Sequence, residues 1–181
     1  MKNVLILHGT EDNSTKNWFP WLKKELEKRG YKVWVPDLPH AEKPNIQRYN
    51  DYIFSRWKFD KNSIIIGHSS GAVEILGILQ QLPNSVCVHK AILVAGFTTD
   101  LDWEPLSELI IPFDWQKIRS HAKKIILFHS DNDPFVPLLH GKKLEKELAA
   151  ELIIMKGQKH FSLSSAPGYD KFPAVLEKIL E

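Results

Sequence analysis

A chain of 181 residues with 43% hydrophobic and 25% charged residues has the size and composition of one folded domain, which excludes disorder for its bulk. The formal net charge of +2 comes from basic pairs such as Lys23-Lys24 and Lys142-Lys143 set beside acidic residues, a solvated surface rather than a nucleic-acid stripe. No apolar run approaches the roughly 20 residues a membrane span needs, and the lone Cys87 excludes an internal disulfide and suits a reducing, cytoplasmic setting.

The first predicted strand covers residues 3–7, and Val4-Leu5-Ile6-Leu7 is too short to be the core of a signal peptide. A helix is expected over 19–29, where Trp21, Leu22 and Leu26 recur at helical spacing between Pro20 and Gly30. A strand at 31–35 follows, then a less regular helical stretch at 41–58 and a strand at 63–67. Residues 70–82 put Val73, Leu76, Ile78 and Leu79 on a broad apolar surface that Pro83-Asn84 ends. Beyond a strand at 91–95 lies an irregular stretch, 97–121, whose Trp103, Phe113 and Trp115 either cover a sheet edge or line a pocket. Strands at 125–129 and 151–155 alternate with amphipathic helices at 138–149 and 173–180.

Most of these strands are continuously apolar, as in Ile64-Ile65-Ile66 and Ile125-Ile126-Leu127-Phe128, the pattern of parallel strands buried on both faces. Strand–helix alternation then implies right-handed crossovers and a doubly wound parallel sheet, with helices on both faces, in a single domain over 1–181. Such sheets bind ligands beyond the carboxyl ends of their strands.

Chemistry-bearing residues stand at those ends. Gly67-His68-Ser69-Ser70-Gly71 is a G-x-S-x-G sequence between a predicted strand and a predicted helix, where a nucleophilic serine occupies a tight, strained turn. Glycines two before and two after let strand and helix approach closely, and only Ser69 of the two serines has that spacing. The N–H of the next residue, Ser70, then points at a developing oxyanion. A second N–H is expected from the loop after the first strand, from Thr10 or Glu11, with Thr10 preferred. After the fifth strand, Asp131 and Asp133 both stand where a carboxylate would orient an imidazole; the Asp-x-x-Val-Pro arrangement favours Asp133 and makes Asp131 a turn-former. His160 follows the sixth strand and completes the chain order Ser, Asp, His. His8, His68 and His129, near strand ends beside the two aspartates, raise a metal site as a rival, but none has HExxH spacing and each admits a local explanation. No metal or other cofactor is called for, and there is no GxGxxG or Walker A loop.

At these residues the sequence resembles the retinoblastoma-binding protein 9 family of small serine hydrolases and its bacterial relatives. The likeness is sharpest over Ile64–Ala72, Asp131–Pro137, Phe113–Ile118, Trp21–Glu27 and His160-Phe161. It implies a minimal α/β-hydrolase lacking the first two strands of the larger fold, with sheet order 2-1-3-4-5-6, and a triad of Ser69, Asp133 and His160. It also implies cleavage of an ester, amide or peptide bond of a small molecule through an acyl-enzyme. A different class of role, a protein-binding scaffold that keeps a hydrolase fold, is the alternative. Retinoblastoma protein binding is not expected, because there is no Leu-x-Cys-x-Glu motif: Cys87 lies in Ser85-Val86-Cys87-Val88-His89. Nor is a nucleic-acid or membrane partner expected.

Overall fold

The continuously apolar runs form strands because alternate side chains of each one enter two different cores. In the computed structural model, which describes residues 2–181, these strands are β1 (Asn3–Leu7), β2 (Lys32–Trp34), β3 (Ser63–His68), β4 (Lys90–Val94), β5 (Ile125–Ser130) and β6 (Glu151–Met155). They pair in the order β2-β1-β3-β4-β5-β6, and every pair is parallel. Leu5, Ile65, Leu93 and Leu127 project to one face, while Val4, Ile66, Ile92 and Phe128 project to the other. Each face therefore needs its own cover of helices.

Four helices supply apolar side chains to the first face: α2 (Ile46–Phe54), α3 (Ser70–Gln81), α4 (Trp115–Ser120) and α5 (Leu138–Leu148). The second is covered by α1 (Phe19–Glu27), through Phe19, Leu22 and Leu26, and by α6 (Pro173–Leu180), through Val175 and Ile179. This is the doubly wound architecture expected from the strand–helix alternation. Helix α3 is buried almost all round, from Ser70 to Leu79, because it crosses the middle of the sheet behind β3.

Element boundaries differ from the sequence reading where local chemistry intervenes. The helix expected over 41–58 begins only at Ile46. Asn45 is extended there and its side chain accepts from the N–H of Arg48 at 2.8 Å, while Pro44 disfavours helical geometry in the residue before it. In the irregular stretch, Asp114 caps α4 by accepting from the N–H of Lys117 at 2.9 Å, and a 3-10 turn spans Glu104–Leu106. Phe97, Leu106, Leu109 and Ile118 of this stretch are buried in the first core.

Candidate active site

Between β3 and α3 the chain turns through Ser69, at φ 56° and ψ −122°, a conformation that costs a non-glycine residue energy and that surrounding structure must enforce. The enforcement is steric. A Cβ on Gly67 would stand 2.2 Å from the carbonyl oxygen of Gly71, and one on Gly71 would stand 2.5 Å from that of His8. Strand β3, helix α3 and the end of β1 thus approach to a separation that only glycine tolerates. The amide of Ser69 is pinned by donating to Val94 O at 2.9 Å, so the nucleophile candidate sits at the amino terminus of a 12-residue helix. The dipole of that helix favours negative charge there.

On the other side of the cavity, His160 Nδ1–H donates to Asp133 Oδ2 at 2.8 Å. The other carboxylate oxygen, Oδ1, accepts from the N–H groups of Phe135 at 2.9 Å and Val136 at 3.0 Å. Burial alone would push the Asp133 carboxyl up, but the His160 hydrogen bond, its charge and the two backbone N–H groups outweigh it and hold the group below the usual carboxylate range. An ionised Asp133 only accepts, so the His160 proton lies on Nδ1 and the lone pair on Nε2, the tautomer a general base needs. The Asp131 carboxylate points elsewhere: its Oδ1 accepts from the N–H of Gly157 at 2.8 Å. It ties the β5 and β6 loops together rather than turning its own loop.

Strand β1 ends at Leu7, and the next residues pass directly over Ser69, since a Cβ on Gly9 would stand 3.0 Å from Ser69 Cβ. His8 anchors this loop from below. Its Nδ1–H donates to Gly9 O and its Nε2 accepts from Leu38 N–H, both at 2.8 Å, so the ring is neutral; burial holds its pKa below the ordinary value. The N–H of Glu11 is already engaged, 3.0 Å from Ala41 O, which leaves Thr10 of the two candidate oxyanion donors. The hydroxyl of Thr10 donates to that of Ser70 at 2.9 Å.

Ser69, His160 and Thr10 line one cavity of about 610 Å³. Its apolar lining includes Phe97, Leu101, Trp103, Leu106 and Phe135, with Leu163 between the serines of the polar part. The opposite wall is polar, with Asp12, Lys16, Asn17, Ser162 and Ser164. The stretch 97–121 thus does both jobs the sequence allowed: its first part walls the cavity, whereas Phe113 and Trp115, their tilted rings 5.3 Å apart, pack on the first core. Among the described residues, no three His, Cys, Asp or Glu side chains converge as a metal-binding set.

The profile of the family described as "Serine hydrolase" matches residues 4–181 of this sequence. The chain belongs to that family. It is 30% identical over 179 residues to the Bacillus subtilis hydrolase YdeN, covering 97% of this chain and 93% of YdeN. The crystal structure of YdeN superposes with a TM-score of 0.92 and covers 99% of this chain and 97% of that one. Serine hydrolase RBBP9 of Rattus norvegicus is 28% identical over 158 residues, 85% of this chain and 83% of the rat protein. A likeness in fold alone extends to Est1E of Butyrivibrio proteoclasticus, at 15% identity and a TM-score of 0.70, with 98% of this chain and 85% of Est1E covered. The protein is a hydrolase with the minimal α/β-hydrolase fold, and among its described residues no helix is long and apolar enough to cross a membrane.

The histidine loop of this serine hydrolase is held by Ser130 and Asn132, which the sequence does not single out, and by His68, which it offers only as a rival metal ligand. Ser130 Oγ accepts from the N–H of Gln158 at 3.0 Å, and Asn132 Oδ1 accepts from that of Lys159 at 2.9 Å. From beneath, His68 Nε2–H donates to the carbonyl oxygen of His160 at 2.7 Å. Burial, followed by the nearby His160 charge, lowers the His68 pKa to about 3, so the ring stays neutral and gives its Nε2–H to that carbonyl. Lys159 and Phe161, flanking His160, both have positive φ, 51° and 54°, and these bonds hold that strain in place. His129 is different: it packs against Gly141, where a Cβ would meet its ring at 2.6 Å, and it takes no part in the site's hydrogen bonds.

Proposed function

We propose that the protein hydrolyses small carboxylic esters through an acyl-enzyme on Ser69. The observation that carries this reading is the 2.8 Å His160–Asp133 hydrogen bond, on one cavity shared with a serine at a strained strand-to-helix turn. His160 Nε2 takes the Ser69 proton as Oγ attacks the carbonyl carbon. The negative oxygen that forms is met by the N–H groups of Thr10 and Ser70 at the start of α3. Collapse expels the alcohol, which receives the proton from Nε2. Water then repeats the sequence: its proton passes to His160, its oxygen bonds to the acyl carbon, and Ser69 Oγ leaves with the proton returned.

The cavity favours short acyl chains. Each buried methylene contributes about 0.8 kcal/mol only while wall remains to receive it, and the apolar lining here is eight side chains around a space of about 610 Å³. In a series of p-nitrophenyl esters, kcat/KM should rise by about that increment per methylene while the wall lasts, then stop rising and fall beyond roughly six to eight acyl carbons. A monotonic rise through twelve carbons would contradict the short-acyl reading. Mixing the protein with p-nitrophenyl acetate and quenching early should leave an acetyl group on intact protein, absent from Ser69→Ala. Equal turnover by Ser69→Ala would overturn the acyl-enzyme.

A further inference from the structure

An oxyanion hole works only if its donors sit 2.7–3.1 Å from the developing charge. Here the two N–H groups belong to separate elements. One follows β1; the other opens α3, 60 residues later. The β1 loop is hydrogen-bonded away from α3, through His8 to Leu38 and through Glu11 to Ala41. Gly71 against the His8 carbonyl sets how near the two elements come, but a steric stop does not fix the direction in which an N–H points.

We propose that the Thr10 and Ser70 side chains form a clasp that fixes the spacing and aim of the two oxyanion N–H groups. This rests on the ester-hydrolase reading above. The residues joined by the 2.9 Å Oγ–Oγ hydrogen bond are the same two whose backbone N–H groups face the oxyanion. Ser70 is 1% exposed and does not line the cavity, whereas Thr10 does. The bond therefore stands behind the reacting atoms, where it can orient backbone without touching substrate. Both hydroxyls act as positioning residues: the clasp holds the donors within the roughly 0.5 Å that a productive site tolerates. A rival role for Thr10, direct donation of its hydroxyl proton to the oxyanion, makes a different prediction for Ser70.

The test is a double-mutant cycle of Thr10→Val, Ser70→Ala and their combination, with Thr10→Ser as the conservative variant. The readouts are kcat and KM on p-nitrophenyl acetate, the second-order rate of labelling by a fluorophosphonate, and thermal unfolding to check each fold. The clasp predicts a loss of about tenfold in kcat, smaller than the 10²–10³ of deleting a donor outright, in both single variants and no further loss in the double. KM should change little, labelling should slow in parallel, and Thr10→Ser should approach the parent. Should Ser70→Ala not fold, Thr10→Ala compared with Thr10→Ser gives the same contrast. Ser70→Ala at parental rate beside a slow Thr10→Val would overturn the clasp in favour of direct donation. Parental rates in both single variants would overturn it outright while leaving the hydrolase reading intact. A parent protein that neither labels nor turns over ester would overturn both.

Discussion

Around Ser69 the fold closes by backbone contact, with Gly67 against Gly71 and Gly71 against His8, whereas around His160 it closes by side-chain acceptors on backbone N–H groups. The Ser69 half is thus part of the core: α3 is buried from Ser70 to Leu79, and a Cβ at Gly67 or Gly71 would strike backbone. The His160 half is two loops after β5 and β6, stitched by Ser130, Asp131 and Asn132. Changes at the packed glycines of the first half should register as stability, and changes among the loop carboxylates of the second as rate. The division follows from what each group must do: a nucleophile needs a rigid, strained turn, while a base needs a chosen tautomer and a lone pair aimed at it.

The largest effect should come from Asp133→Asn. Its remaining oxygen can still accept from Phe135 and Val136, so unfolding temperature should hardly move, but the amide no longer fixes the His160 tautomer. We expect kcat to fall by about 10⁴, the precedent for this exchange in serine proteases. A loss of stability matching the loss of rate would erase the contrast between the halves.

Gly71→Ala tests the other half. A Cβ 2.5 Å from the His8 carbonyl and 2.6 Å from that of Leu7 meets backbone on a buried strand, which cannot yield cheaply. Overpacking of this kind costs about 3 kcal/mol or more, and calorimetry should show Tm lowered by roughly 10 °C. Parental stability would mean that β1 and α3 are not jammed together.

A smaller effect concerns Glu74, fully buried on α3 with neither carboxylate oxygen hydrogen-bonded, so that burial raises its pKa well above the ordinary value of 4.5. In the folded chain it holds its proton at pH values where the unfolded chain has released it. Stability attributable to this group is therefore highest below the unfolded pKa and falls as pH rises above it, by up to about 1.4 kcal/mol per pH unit until the folded group also ionises. Urea unfolding from pH 5 to 8 should show that slope in the parent and a shallower one in Glu74→Gln, with kcat preserved. Identical slopes would place the titration elsewhere. Smallest of all should be Asp131→Asn, whose oxygen can keep the Gly157 contact; kcat should stay within about threefold, and a loss comparable to that of Asp133→Asn would reverse the roles assigned to the two aspartates.

The fold was legible because its signals are local. Ile64-Ile65-Ile66 reads as a doubly buried strand without knowing its neighbours, and Gly67 and Gly71 carry their steric meaning in their spacing from Ser69. The start of α2 was blurred because Asn45 overrides an otherwise helical pattern, an effect of one cap. What the sequence hid is tertiary. Asp131 reads as a turn-former, yet its partner Gly157 lies 26 residues away, and Asn132 meets Lys159 from 27. His68 gives no sign in the chain that its ring will support the carbonyl of His160, 92 residues later. Likewise Glu11 could be set aside as an oxyanion donor only once its N–H was found on Ala41.

In the proposed mechanism everything turns on Ser69 as a nucleophile made reactive by His160 and Asp133. It is tested most directly by treating the native protein with a fluorophosphonate and mapping the adduct by peptide mass spectrometry. One phosphonyl group should be found on Ser69, with labelling abolished by heat denaturation and slowed by orders of magnitude in Asp133→Asn. An unmodified Ser69 in folded protein, or an adduct mapped to Ser70 instead, would contradict it.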